Sequence, residues 1–266
     1  MAKAIKEIKS IQKIIDLFVV TLDARAPLST YNPSLERIAP QKPRLFIITK
    51  IDLGDQKKYD YIRSQLESEE SKVLFLNLKN HNSRKAVSSA ITEILGPKIK
   101  RDKERGLLRS RLKVMVIGVP NSGKSTLINL LNKKKKANVK NEPGVTRSQQ
   151  WFNVGEFNVM DTPGVLWPKL DNQKIATKLA IIGSVKFDIL PKKDVFTNAY
   201  RLISKYYPDK IIALGLEPQK KESEIFNELI KYCRKNNYMN NNKIIEQKGI
   251  DIFIKNVVKM NSITLD

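Results

Sequence analysis

The pattern of apolar and polar positions divides the chain in two. Up to about residue 165, short β-branched apolar runs alternate with amphipathic stretches. "LFVVTL" (17–22), "RLFIIT" (44–49), "KVLFLNL" (72–78) and "LKVMVIG" (112–118) are continuous apolar runs bounded by charge, as expected of strands buried on both faces. Residues 3–15 carry Ile and Ala at helical spacing, "STYNPSLERIAPQKP" reads as loop and helix, and a helix is predicted over about 57–67. "SRKAVSSAITEIL" is an amphipathic helix that Gly96-Pro97 should close. A further helix is predicted from about Gly123 to Asn132, and "QQWFNV" with "FNVMDT" reads as a hairpin pair around Gly155. Alternation of this kind predicts a doubly wound α/β layer with a mostly parallel sheet.

After "LWPKLD" the strand signals fade. Helical periodicity appears near 173–183, 195–206, 222–236 and 243–259, with Pro191, Pro208 and Pro218 in the connections. The expected organisation is an α/β domain over 1–168 and a small all-helical domain over 169–266. No internal repeat is visible.

Composition narrows the class. A chain of 266 residues, 41% hydrophobic, holds one or two cores and is too apolar for a disordered protein. No apolar run approaches the roughly 18 to 20 residues of a membrane helix, so no membrane span is expected. The opening "MAKAIKEIKSIQKI" lacks a secretory apolar core, and its Glu7 and its Lys in place of Arg make a poor transit peptide. The single cysteine, Cys233, excludes an intramolecular disulfide and a multi-cysteine metal site; it suits a reducing bacterial cytoplasm and is expected to pack on a helix.

The formal net charge of +22 adds a partner class. Richness in Lys, Ile and Asn, as an A/T-biased genome produces, accounts for some of it. Yet the charge is concentrated in "PKIKRDKERGLLRSRLK" (97–113) and "KKKK" (133–136), where a solvated helix face would mix the signs. RNA is expected as partner ahead of a membrane surface. Nothing in the pattern requires an oligomer.

The chemistry lies in four short segments. "GVPNSGKS" fits G-x-x-x-x-G-K-[ST] between an apolar strand and a helix, the context a phosphate loop needs. Backbone N–H groups from Asn121 through Ser122, Gly123, Lys124 and Ser125 to Thr126 can cradle phosphates at a helix N-terminus. Lys124 supplies a charge to the β- and γ-phosphates, and the Ser125 hydroxyl is suited to ligate Mg²⁺. "VMDTPG" ends a strand in Asp161, a further Mg²⁺ partner through water, and the Gly164 N–H can sense the γ-phosphate. Thr146, in "NEPGVTRS", is the expected second Mg²⁺ ligand on a switch segment. Lys124, Thr146 and Gly164 are the candidate catalytic groups.

"TKID" (49–52) completes the set. The Asp52 carboxylate can accept from the N1–H and N2–H₂ of guanine, a donor pair that adenine lacks. The Lys50 stem can lie over the base. Thr49 stands where Asn is common, which weakens one supporting hydrogen bond. The next strand runs into "NLK", whose Asn77 and Leu78 are expected to meet the base through backbone groups. Both base segments precede the phosphate loop, so the order of an ordinary GTPase is circularly permuted. The helical domain then hangs directly from the D-x-x-G switch, a lever for γ-phosphate loss to move.

"DARAPLSTYNP" (23–33), "TKIDL", "GVPNSGKSTLIN", "EPGVT", "DTPGVLWPK" and "LAIIGSVK" (179–186), with "MAKA" at the start, resemble the circularly permuted GTPases of the YlqF/YawG type. The resemblance spans nearly the whole chain. It implies GTP/GDP and Mg²⁺ as ligands, with K⁺ near Asn121 as a candidate second cation. It also implies late assembly of the large ribosomal subunit as the process, with the precursor particle and its rRNA as partners. The sequence departs from the pattern at Thr49, at the "NLK" base loop, and at Val165, where many GTPases keep a catalytic glutamine. The resemblance implies a substitute histidine just before "MAKA". The sequence begins at Met1 and its one histidine, His81, belongs with the base loop, so either the native start lies upstream or a partner supplies the group.

Overall fold

Strand formation follows the apolar runs. The computed structural model describes residues 2–106, 112–132, 150–154, 157–161, 172–240 and 243–266. Six strands, β1 (Leu17–Asp23), β2 (Arg44–Thr49), β3 (Ser71–Phe75), β4 (Leu112–Gly118), β5 (Gln150–Val154) and β6 (Phe157–Asp161), form one sheet in the order β3-β2-β1-β4-β6-β5. All neighbours are parallel except the β5–β6 hairpin at the edge. Read from β4 onward, the strands run 4, 5, 6, 1, 2, 3, and β2, which leads into "TKID", lies two places from the phosphate-loop strand β4, with β1 between them.

Successive strand residues feed opposite faces, the period of two that a pleated strand imposes. Phe18, Val20, Leu22, Phe46 and Ile48 pack with helices α1 (Ala2–Ile11), α3 (Ser34–Ile38) and α4 (Tyr59–Leu66). Leu17, Val19, Leu45, Ile47, Val114 and Val116 pack with α5 (Asn82–Glu104) and α6 (Lys124–Leu131). The short α2 (Pro27–Thr30) follows β1. A third core gathers α7 (Gln173–Ile181), α8 (Lys192–Tyr206), α9 (Pro208–Ala213), α10 (Glu222–Lys235) and α11 (Glu246–Val258) around Phe196, Tyr200 and Phe253, whose rings lie 5.0–5.9 Å apart. This is the expected helical region, with two additions. Pro208, read as a connector, starts α9 at its first position, where the missing N–H costs nothing. A two-stranded hairpin, β7 (Met239–Asn240) and β8 (Lys243–Ile244), precedes α11. The expected boundary at 168/169 lies outside the described residues.

Two expectations are corrected. Gly96-Pro97 does not end its helix: α5 continues to Glu104 and is closed by Gly106 at φ +79°. Proline inside a helix removes one hydrogen bond and crowds the preceding turn, but tertiary contacts hold the continuation. Ile99 packs on the sheet core, Asp102 is buried, and Lys98 bridges Asp16 and Asp102 at 3.5 Å each. The presumed basic linker is therefore helical over its first half. Strand β3 stops at Phe75 rather than residue 78, because Asn77 forms its own turn: its Oδ1 accepts from Lys79 N (3.0 Å) and its carbonyl from Asn80 N (2.9 Å).

Cys233 packs inside the helical core against Gly249 of α11, as expected of a structural thiol. A Cβ added at Gly249 would lie 2.3 Å from Cys233 Sγ and 3.0 Å from Leu229 Cδ1. Gly249→Ala should therefore destabilise the protein by about 1–3 kcal/mol despite the better helix propensity of alanine. Urea unfolding monitored by circular dichroism measures this. Cys233→Ala in the same chain should relieve part of the loss.

Candidate site at the carboxyl edge of the sheet

A parallel sheet brings the carboxyl ends of its strands to one edge, where ligands of open α/β folds bind. Here that edge carries Asp23 after β1, Thr49 to Asp52 after β2, Asn77 and Leu78 after β3, Gly118 to Lys124 after β4, and Asp161 closing β6. Asp161 pairs in register with Val116, two residues short of the phosphate loop. Thr146 and Gly164, assigned to the switch segments, lie outside the described residues, as do Lys133 to Lys136.

The phosphate loop takes the shape its glycines allow. Asn121 (φ +60°) and Gly123 (φ +92°) are both left-handed, and Gly123 caps the N-terminus of α6. Ser125 and Thr126 are exposed in the first turn. Gly123 also marks a close approach. A Cβ there would lie 3.1 Å from Thr49 Cγ2 and 3.3 Å from Leu78 Cδ1. Thr49 and Leu78, from the two segments expected to meet the base, thus rest directly on the phosphate loop. Leu78 is buried in this contact, so its side chain has a packing role beside any backbone one.

Thr49 does more than the sequence suggested. Its hydroxyl reaches the Ser122 carbonyl (2.8 Å) and the Leu22 carbonyl (3.1 Å), so it ties the base loop to the phosphate loop itself. The substitution that looked like a weakness supplies a strut. Ser122 is fully buried, and its Oγ lies 2.7 Å from Thr21 Oγ1 and 2.8 Å from the Val119 carbonyl. Asp52 is exposed, open to a ligand. Lys50 holds φ +54°, unusual for a residue with a Cβ, and its ammonium sits 2.7 Å from Asp23 Oδ2. Burial alone would raise the Asp23 carboxyl; the hydrogen bonds and charges of Arg25 and Lys50 outweigh it and hold the group below its ordinary value of 3.8.

The helical region closes over this edge. Asn121 Nδ2 donates to the Gly183 carbonyl (2.6 Å), just past the end of α7 in the segment "LAIIGSVK". The last residues return as a strap. Ile263 N donates to the Leu53 carbonyl (3.1 Å), Thr264 Oγ1 to the Ala24 carbonyl (2.9 Å) and Leu265 N to the Arg25 carbonyl (2.7 Å). The buried Tyr207 hydroxyl accepts from Thr264 N (2.8 Å), and burial pushes its pKa up to about 12. Sequence reasoning missed the strap because "SITLD" carries no periodicity and its partners lie far away along the chain, Tyr207 by 57 residues and Ala24 by 240. It noted "DARAP" without a role; an acid and a base one residue apart after a strand was the available signal.

Comparison with known proteins accords with this geometry. A family model described as 50S ribosome-binding GTPase matches residues 113–245, beginning on the phosphate-loop strand and leaving "TKID" outside its N-terminal limit. Ribosome biogenesis GTPase A of Bacillus pumilus is 36% identical over 212 residues, 79% of this chain and 75% of that protein. The chain belongs to the ribosome biogenesis GTPase A family. Mitochondrial ribosome-associated GTPase 1 of Bos taurus is 36% identical over 195 residues, 70% of this chain and 58% of its own length. A crystal structure of GNP-bound YlqF from T. maritima superposes with TM-score 0.65 over 99% of this chain and 97% of that one. At 22% identity it bears on the fold alone.

For a GTPase of this family, the Thr49 strut should matter twice. Thr49→Val keeps the shape and removes the hydroxyl, leaving the Ser122 carbonyl without this donor. We expect about 1 kcal/mol of lost stability and a GDP affinity lower by roughly fivefold. Unfolding curves and fluorescent-GDP titration of the same variant read the two effects separately.

Proposed function

We propose that the protein is a GTP-hydrolysing switch in late assembly of the large ribosomal subunit, acting in the bacterial cytoplasm on a precursor particle through its rRNA. The observation that carries the reading is the packing of a guanine-reading segment on a phosphate loop, Thr49 and Leu78 against Gly123, in a chain of this family. Asp52 reads guanine, and Lys50 with Asn77 and Leu78 lines the base. The backbone from Asn121 to Thr126 and the Lys124 ammonium hold the phosphates. Ser125, Thr146 and Asp161 offer two hydroxyls and a carboxylate, hard oxygen donors suited to Mg²⁺. Among the described residues no cluster of three His, Cys, Asp or Glu could hold a metal ion. Once bound, Mg²⁺ neutralises charge on the β- and γ-phosphates.

The Gly164 N–H senses the γ-phosphate, and its loss is passed to the helical domain over 169–266. Asn121 gives its amide nitrogen to Gly183, so its Oδ1 is the atom to serve a K⁺ ion beside the phosphates. Val165 cannot orient water, which makes intrinsic turnover slow and gives the particle a role in raising it. Among the described residues no helix is long and apolar enough to cross a membrane.

Asp52→Asn should shift preference from guanine to xanthine nucleotides by replacing an acceptor with a donor, read by calorimetry. Equal competition of ATP and GTP in the wild type would refute the assignment. Co-sedimentation with large subunits should differ between GDP and a non-hydrolysable GTP analogue, and subunits should accelerate hydrolysis. Turnover that stays negligible with subunits present would make the protein a nucleotide-gated binder instead. Binding should weaken with KCl. Lys100 is exposed on the far half of α5 and Arg105 just past its end, whereas Lys98 is held by Asp16 and Asp102. Replacing Lys100 and Arg105 should lower the slope of log affinity against log salt by about 1.5, from roughly 0.7 to 0.9 per phosphate contact.

A further inference from the structure

Asp23 is fully buried and every acceptor position of its carboxylate is used. Oδ1 accepts from Arg25 N (3.1 Å) and Arg25 Nε (3.0 Å); Oδ2 accepts from Arg25 Nη2 (2.9 Å) and from the Lys50 ammonium (2.7 Å). Arg25 is 3% exposed and spends its remaining donors on the helical region. Its Nη2 also reaches the Ile182 carbonyl at the end of α7 (2.8 Å), and Nη1 reaches the Val258 carbonyl at the end of α11 (3.0 Å). One anion thus stands between two cations. The first cation belongs to the base-reading segment; the second is clamped on two helix C-termini, where the carbonyl dipoles favour positive charge. The cluster carries a net positive charge, complementary to a nucleotide anion.

We propose that Asp23 is the positioning residue of the guanine site. It fixes the Lys50 ammonium so that the lysine stem is preset for the base, and Arg25 makes that hold conditional on docking of the helical region. The proposal rests on the reading of Lys50 as a base-contacting residue. A free lysine loses rotamer freedom when a ligand orders it; one anchored at its far end has already lost it, and its methylenes present a fixed apolar face. Lys50 is also held at its near end, where its carbonyl accepts from Leu53 N (2.9 Å) and stabilises the left-handed backbone. Without the carboxylate, Lys50 and Arg25 would face each other as like charges. Arg25 is buried and bound to two carbonyls, so Lys50, whose side chain is 30% exposed, is the one that leaves. Loss of the helical contacts would free Arg25 to shift and loosen the same carboxylate. Guanine affinity and seating of the helical region are then linked, each strengthening the other.

A double-mutant cycle tests this on the full chain, with fluorescent GDP as the probe. Lys50→Met and Asp23→Asn should each raise the Kd for GDP by about tenfold, and the double variant should lose no more than the larger single loss. Arg25→Lys keeps the charge but cannot fork to both carbonyls. It should raise the Kd by at least about threefold, and that loss should vanish in the Lys50→Met background. A purely structural ion pair would instead lower the melting temperature with no change in Kd, or give losses that multiply in the double variant; either result overturns the proposal. An unchanged Kd in Lys50→Met removes Lys50 from the guanine site and the proposal with it. If Asp23→Asn does not fold, the Arg25→Lys and Lys50→Met cycle carries the test, because both variants keep the carboxylate.

Discussion

A carboxylate cannot be buried at the end of a central strand without counter-charge, and Asp23 has two cations within hydrogen-bond distance. Desolvation of such an ion costs several kcal/mol unless its lone pairs are filled, and here Lys50 and Arg25 fill them. Lys50 arrives from the segment after the neighbouring strand and the Arg25 backbone and side chain from the loop that follows β1, and Arg25 in turn donates to carbonyls at the ends of α7 and α11. Removing any one partner leaves buried charge exposed to its neighbours. The base-reading segment, the β1–α2 turn and the helical region are therefore obliged to meet at one point.

That obligation gives the permuted connectivity its mechanical sense. In the sheet, β1 lies between the base-reading strand and the phosphate-loop strand, so a charge at its carboxyl end is next to both. The helical region touches each side of the edge separately. Asn121 of the phosphate loop holds the Gly183 carbonyl, and Arg25 holds the Ile182 carbonyl one residue earlier. The turn after α7 spans the site, with two adjacent carbonyls read by two different loops. The terminal strap adds a third connection through Leu53, Ala24 and Arg25. Three separate sets of hydrogen bonds thus join the helical region and the terminal strap to the carboxyl edge.

Much of this architecture is written in short-range patterns. Continuous apolar runs mark β1 to β4, because a strand covered on both faces needs continuous apolar residues, and the β5–β6 hairpin is marked by its pattern around Gly155. The phosphate loop is legible because its glycine spacing follows from the backbone it must form. Where a short-range signal met a tertiary one, the tertiary one won. Gly96-Pro97 is a sound stop in isolation, yet Ile99 and the Lys98 bridge to Asp16 and Asp102 carry α5 past it. Thr49 likewise looked like a lost hydrogen bond until the Ser122 carbonyl was seen beside it.

By itself, then, the sequence determined the strands of the main sheet and most of the longer helices, the order of the nucleotide motifs and hence the permutation, since each depends on residues within a few positions of one another. Periodicity and glycine placement are local properties of the backbone. What only the tertiary structure decided is which distant groups share a charge or a proton. The acid and base of "DAR" hinted at a local pair, but nothing along the chain showed that Lys50 would be its second cation, and "SITLD" gave no sign that it would strap the base loop to Tyr207. Hydrogen-bond partners and burial are set by the approach of elements in space, and no periodicity along the chain encodes a contact between residues 24 and 264.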